Sequence, residues 1–153
     1  MTTVWPMSPI RRTATIPGNR DPPWGTVIID AGGRGECLWR AVSMAWSDGE
    51  ASTEEWRDMK IAALRRARAS EAQMRPYWDG SGPRGEDMNG NYQAYITMMY
   101  PDDAKAGAHE VQALAVLLGV IIEVYPSDAE RNVVIFNDAN MNTEVIRLWL
   151  DLR

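Results

Sequence analysis

The chain has 153 residues, 45% of them hydrophobic and 24% charged, the composition of a folded domain with one core rather than two. A formal net charge of −5 argues against bulk nucleic-acid binding, which needs a basic face. One cysteine excludes an internal disulfide framework, and one cysteine with one histidine cannot build a structural zinc site, so no metal and no cofactor is expected.

Residues 1–24 carry five of the nine prolines: Pro6, Pro9, Pro17, Pro22 and Pro23. Each proline removes a backbone donor and restricts its predecessor, so this stretch reads as an extended arm, a candidate for binding a partner chain. Its opening, MTTVWPMSPIRRTATIPGN, has no continuous apolar stretch of the kind a secretory signal needs, and an intracellular protein is expected. A folded domain is assigned to residues 25–153. Val27-Ile28-Ile29 is a buried-strand candidate, followed by the turn Gly32-Gly33-Arg34-Gly35. A helix opens near Cys37, because Leu38, Ala41, Val42 and Ala45 keep the spacing of one apolar stripe, and Asp48-Gly49 ends it. Ser52 with Glu55 fits a capping box for the next helix, with Trp56, Met59, Ala63 and Ala67 inward and Arg65, Arg66 and Arg68 on a solvated outer face.

After the loop Asp79-Gly80-Ser81-Gly82-Pro83, a third helical stripe is formed by Met88, Tyr92, Tyr95 and Met99. A fourth helix is predicted over about Gly107–Leu118, stopped by Gly119. Strands follow at Val120–Tyr125, Val133–Phe136 and Val145–Leu152, the last alternating apolar residues with Arg147, Trp149 and Asp151. The run Ala113–Leu118, even joined across Gly119 to Val120–Ile122, is shorter than the ~20 apolar residues of a membrane span, so no membrane partner is expected. The element order implies an α/β or α+β fold in which helices flank a small sheet.

The segment with chemical content is Gly33-Arg34-Gly35-Glu36-Cys37-Leu38-Trp39-Arg40-Ala41. A glycine loop brings the lone cysteine to a helix start, where the helix dipole and unpaired backbone N–H groups favour a thiolate. The same N–H groups are placed to hold an oxyanion, which makes an acyl-transfer nucleophile one reading of Cys37. A small buried hydrophobe is the other, and spacing alone favours it. The loop lacks the Gly-Lys-Ser/Thr ending of a phosphate-binding loop, and no G-x-S-x-G elbow is present. The acid pairs Glu54-Glu55 and Asp102-Asp103 fall where solvated helix starts and turns are expected.

Gly33–Ser43, GRGECLWRAVS, resembles the cysteine motif of the ovarian-tumour (OTU) family of cysteine proteases, whose pattern runs roughly G-D-G-N-C-L-F-R-A. Ala106–Tyr125, AGAHEVQALAVLLGVIIEVY, resembles that family's W-G-G-x-x-E-x-x-A-L-A helix and following I-x-V-Y strand, and Asn91–Met99 looks like its Y-x-x-x-M helix. The resemblance covers about residues 25–152 and implies a papain-type fold. It implies a thiolate attacking the isopeptide carbonyl at the C-terminus of ubiquitin or a ubiquitin-like protein. Cys37 is then the nucleophile, and the backbone N–H groups of Cys37 and of Arg34 form the oxyanion hole. Trp39 and Trp149 are candidates for lining the cleft that takes the extended peptide, and equally for ordinary core, since both lie next to apolar stripes.

Two departures stand beside the match. Arg34 occupies the position of the family's aspartate, three residues before the cysteine. The family's general base is a histidine just after the last long strand, and this chain reads Asp151-Leu152-Arg153 about where it should arrive. Without an imidazole the thiol loses both its activator and the acid for the leaving amine, roles worth ~10²–10⁴-fold each. His109, the one histidine, is expected at the surface or capping the fourth helix. Three functions fit these residues: a deubiquitinase or processing protease whose histidine follows Arg153, an OTU fold kept as a structural or binding module, for example in a viral particle, and a binder of ubiquitin-like proteins that does not cut them. The expected location is the cytoplasm, that of the host or the virion if the protein is viral.

Overall fold

The computed structural model describes residues 27–30, 36–46, 52–126, 133–139 and 144–151. The elements are β1 (Val27–Asp30), α1 (Cys37–Trp46), α2 (Thr53–Ala69), α3 (Glu71–Met74), a 3₁₀ turn (Arg75–Tyr77), α4 (Tyr92–Met98), α5 (Ala108–Leu118), β2 (Ile121–Pro126), β3 (Val134–Phe136) and β4 (Val145–Asp151). Residues 1–24, the expected arm, lie outside the described residues.

Local chemistry sets the helix ends. Ser52 Oγ accepts the Glu55 N–H at 3.1 Å, the serine half of the expected capping box, and Glu54 and Glu55 place negative charge on the first turn of α2. Asn91 Oδ1 accepts the Ala94 N–H at 3.0 Å and starts α4, so the helix begins at Tyr92 and Met88 falls in the preceding turn. Gly119 ends α5 at φ 65°, a left-handed conformation that glycine adopts without strain.

The sheet is four-stranded in the order β1-β4-β2-β3. The last strand enters the middle: β4 runs parallel to β1 on one side and to β2 on the other, and only β3 is antiparallel, on the outer edge of β2. Ile146 and Leu148 of β4 are buried and Arg147 is exposed, as the alternation predicts. Arg147 Nε meets its cross-strand neighbour Glu123 at 3.0 Å. The apolar faces of α1, α2, α4 and α5 close over the sheet in one core that includes Leu38, Val42, Leu64, Ile96, Leu114 and Phe136. Helix α1 packs on β1, β4 and α2, while α5 packs on the other flank of α2 and on β2 and β3. Among the described residues no helix is long and apolar enough to cross a membrane.

Polar details depart from the expected pattern. Lys60 is buried on the inner side of α2 beside Trp56, Ala63, Leu64 and Ala67, where its Nζ donates to the Pro101 carbonyl at 2.8 Å. Arg65 and Arg66 are exposed as expected, but Arg68 is not a solvated charge: it donates to Gln93 Oε1 at 3.0 Å and Thr97 Oγ1 at 2.9 Å and ties α2 to α4. The acid pair Asp102-Asp103 is exposed in a turn, as expected, Asp102 paired with Arg57 and Asp103 with Arg84.

Candidate functional site

Cys37 is the first residue of α1, half-buried, with its side chain against the edge of the core. The hydrogen bond from Arg40 N–H to Glu36 O, at 2.9 Å, closes the first turn, so the N–H groups that open α1 lie at its start with no preceding helical carbonyl. A helix start of this kind favours negative charge. Arg34, the other expected oxyanion-hole residue, lies outside the described residues.

The sheet decides what else reaches Cys37. The register pairs Asp30 of β1 with Asp151 of β4, both at the carboxyl ends of parallel strands. The loop carrying Cys37 leaves the sheet after Asp30, and chain following β4 leaves it at the adjacent strand end. Crevices at the carboxyl ends of parallel strands are where such sheets place their ligands. Trp149 is in β4, paired through its backbone with Ile28 and Tyr125, and its side chain lies outside the described residues. Trp39 requires a correction. Offered for the cleft as well as for the core, it is 0% exposed, with Lys60 Nζ 5.8 Å from its ring centroid. It shares one face of α1 with buried Ser43, two positions that turn into the molecule while Cys37 lies at the helix start. Trp39 is core. Neither Trp39 Nε1 nor Ser43 Oγ has a hydrogen-bond partner.

His109 also differs from expectation: it is 2% exposed, neither a surface nor a capping residue. Its Nδ1 is 2.5 Å from Glu110 Oε2 and its Nε2 is 2.6 Å from the Tyr92 hydroxyl. Both ring nitrogens are engaged, on a helix separated from α1 by α2. His109 is not a base for Cys37.

The sequence profile of OTU-like cysteine proteases matches residues 32–148. The chain belongs to the OTU-like cysteine protease family. Two solved OTU structures share its fold. The viral OTU domain protease from Dera Ghazi Khan virus is 21% identical, with a TM-score of 0.55 over 78% of this chain and 72% of that one. The OTU domain of OTUD1 is 20% identical, with a TM-score of 0.56 over 77% and 73%. A search of curated proteins returns no match.

In this OTU domain the glutamate of the W-G-G-x-x-E pattern is Glu110, 0% exposed and the centre of a buried network. Its Oε1 accepts the Gly107 N–H at 2.7 Å and caps α5, and its Oε2 accepts the Tyr95 hydroxyl at 2.6 Å. Tyr92 donates to the Ala67 carbonyl at 3.2 Å, so the network joins the end of α2, α4 and the start of α5. Burial, then the charge of Glu110, pushes the pKa of Tyr95 well above that of an ordinary phenol, and the same two causes raise Tyr92. Tyr92 and Tyr95 are core, as the helical stripe predicts, but their hydroxyls are bound in this network. The available signal was two hydroxyl-bearing rings one helical turn apart, with a His-Glu pair on the first turn of the next helix.

The tryptophan of the same pattern falls on Lys105, which lines a recess of about 100 Å³ walled by Tyr77, Trp78 and Tyr95 above His109. Most of its polar groups have partners: Trp78 Nε1 donates to Ser81 O at 2.8 Å, Asp79 holds Ser81, and Tyr95 and His109 hold Glu110. The recess is where this chain carries a lysine in place of a large ring. Burial lowers the pKa of Lys60, an effect that the charges of Asp102 and Glu110 oppose. Among the described residues no cluster of His, Cys, Asp and Glu could hold a metal ion.

Proposed function

We propose that this OTU domain is a thiol protease that cleaves the bond following the C-terminus of ubiquitin or a ubiquitin-like modifier, with Cys37 as nucleophile. The observation that carries the reading is the Asp30–Asp151 register, which sends the loop of Cys37 and the chain following β4 out of neighbouring strand ends. The Cys37 thiolate attacks the scissile carbonyl carbon, and the backbone N–H groups opening α1 hold the resulting oxyanion. Collapse breaks the C–N bond, and the leaving amine takes a proton from an imidazolium. Water then hydrolyses the thioester and frees the thiol. His109 is committed elsewhere, so this reading requires an imidazole from outside residues 1–153.

The test is covalent capture by ubiquitin bearing an electrophilic C-terminus, using the natural polypeptide. Capture is expected at Cys37 and absent in Cys37→Ala, whose melting temperature stays within about 2 °C of wild type because the side chain is small and half-exposed. Capture that survives the substitution ends the assignment. His109 favours a second reading, in which residues 1–153 alone bind the modifier without cutting it. Saturable binding of unmodified ubiquitin, with no capture and no cleavage by the natural polypeptide, selects that one.

A further inference from the structure

A second recess, of about 180 Å³, shares Tyr77 with the first and lies between the end of α2, α3 and α5. Its floor is apolar: Ala67, Met74 and Ala113 are buried, and Val116 closes one side. Several of its polar groups have donors without a partner among the described residues. Gln112 is 7% exposed, and its Oε1 accepts the Asn137 backbone N–H at 3.1 Å. A backbone N–H can only donate, so this bond fixes which end of the amide is oxygen and leaves Nε2, with two donors and no protein partner, to the recess. Among the described residues Arg66 makes no ion pair, whereas Arg57, Arg75, Arg84 and Arg147 each do. The hydroxyls of Ser70 and Tyr77 have no hydrogen-bond partner among the described residues either. Burial and the charge of Asp138 hold the Tyr77 phenol protonated, which keeps it a donor.

The geometry points to a binding site for a small monocarboxylate with an apolar body of about six carbons, its carboxylate on Arg66 and Gln112 and its body on Met74 and Val116. Donors converge from several sides with one unpaired cation, so the complement is a negatively charged acceptor. The size follows from volume: an engineered apolar cavity of about 150 Å³ in another protein holds benzene. Two sources share this chemistry, a free acid and the C-terminal residue of a peptide with an apolar side chain. The site is independent of the protease reading, because α2 stands between it and α1.

The experiment is a titration of ¹⁵N-labelled protein with benzoate, followed on the Gln112 side-chain NH₂ pair and the Ser70 and Val116 amides. Saturation on the order of 1 mM is expected for a ligand of this size held by an exposed arginine. Benzamide, the same ring without the charge, should bind at least tenfold more weakly, and Arg66→Gln should weaken benzoate at least tenfold without altering the fold. Val116→Phe fills the recess and should abolish the shifts. A peptide ending in a free leucine carboxylate that saturates the same signals, where its amide does not, assigns a chain terminus as the source. Saturation by benzoate alone assigns a free acid. No saturation by either ligand, equal binding of benzamide, or unchanged binding to Arg66→Gln overturns the proposal.

Discussion

Tyr95→Phe isolates the buried network, because it removes one hydroxyl and leaves the ring stacked on Trp78 at 5.0 Å. The lost bond is the 2.6 Å contact to the Glu110 carboxylate, a hydrogen bond to a charged group away from water. Such bonds contribute about 1.5–3 kcal/mol. Glu110 Oε2 keeps His109 and Oε1 keeps Gly107, so the carboxylate is not orphaned and the loss should be about 2 kcal/mol, or ~4–8 °C in melting temperature for a domain of this size. The same substitution changes the alkaline limb of stability. Tyr95 holds its proton in the folded protein at pH values where the unfolded chain has lost it, so its stabilisation is complete below the ordinary phenol value of 10 and declines as pH rises above it. Lys60 acts in the opposite sense, since its pKa is lowered on folding, but only below its ordinary 10.5, above which it is neutral in both states. Urea titrations at roughly pH 10.5 to 11.5 therefore isolate the phenols. Tyr92, Tyr77 and Tyr125 are common to both proteins and cancel in the difference. The gap between wild type and Tyr95→Phe should narrow by about 1.4 kcal/mol per pH unit there. A gap below about 0.5 kcal/mol at neutral pH, or one that stays constant across the alkaline range, refutes the placement of the Tyr95 hydroxyl on a buried carboxylate.

Ser43→Ala removes a buried hydroxyl that has no partner, so urea denaturation should show no loss of stability and a gain of up to about 1 kcal/mol; a loss above that would reveal a partner for the hydroxyl. At Gly119 an added Cβ meets nothing within 4 Å, so Gly119→Ala should cost only the left-handed backbone, about 1 kcal/mol, and a cost above 2 would mean a clash. Leu148 is fully buried in the central strand, and Leu148→Ala should cost about 2–5 kcal/mol by chemical denaturation, with a smaller loss showing that the sheet collapses into the space.

What the sequence disclosed was local. The glycine loop and apolar stripe place Cys37 at a helix start, Ser52 and Gly119 mark helix ends, and the alternation around Ile146 and Leu148 selects the buried face of β4; each depends on neighbours within a turn or two. The same logic fails for polar residues whose partners are distant in sequence. Lys60 is buried because Pro101 offers a carbonyl and Trp39 a ring face, and His109 is buried because Tyr92 and Tyr95 pack on it; no periodicity encodes those meetings. Trp39 was misplaced for a related reason. Proximity to Cys37 in sequence suggested proximity to substrate, yet two residues along a helix is a rotation of about 200°, enough to turn a side chain from the cleft into the core.

Strand order was equally hidden. Nothing in Val145–Asp151 says that the last strand enters the sheet between the first and the second, since its apolar alternation suits an edge as well as a centre. That insertion is what links fold to chemistry. A strand placed at the outer edge beside β3 would send the chain that follows it away from Cys37. Paired in parallel with β1, with Asp151 opposite Asp30, it brings the two strand ends together. The proposed nucleophile and the base that the proposal requires then need no long connection to meet. The entropy of bringing distant segments together is met by the sheet and its core rather than by the site. The constellation proposed at Cys37 therefore depends on the packing of Ile122, Val124, Ile146 and Leu148 as much as on any residue proposed to touch substrate.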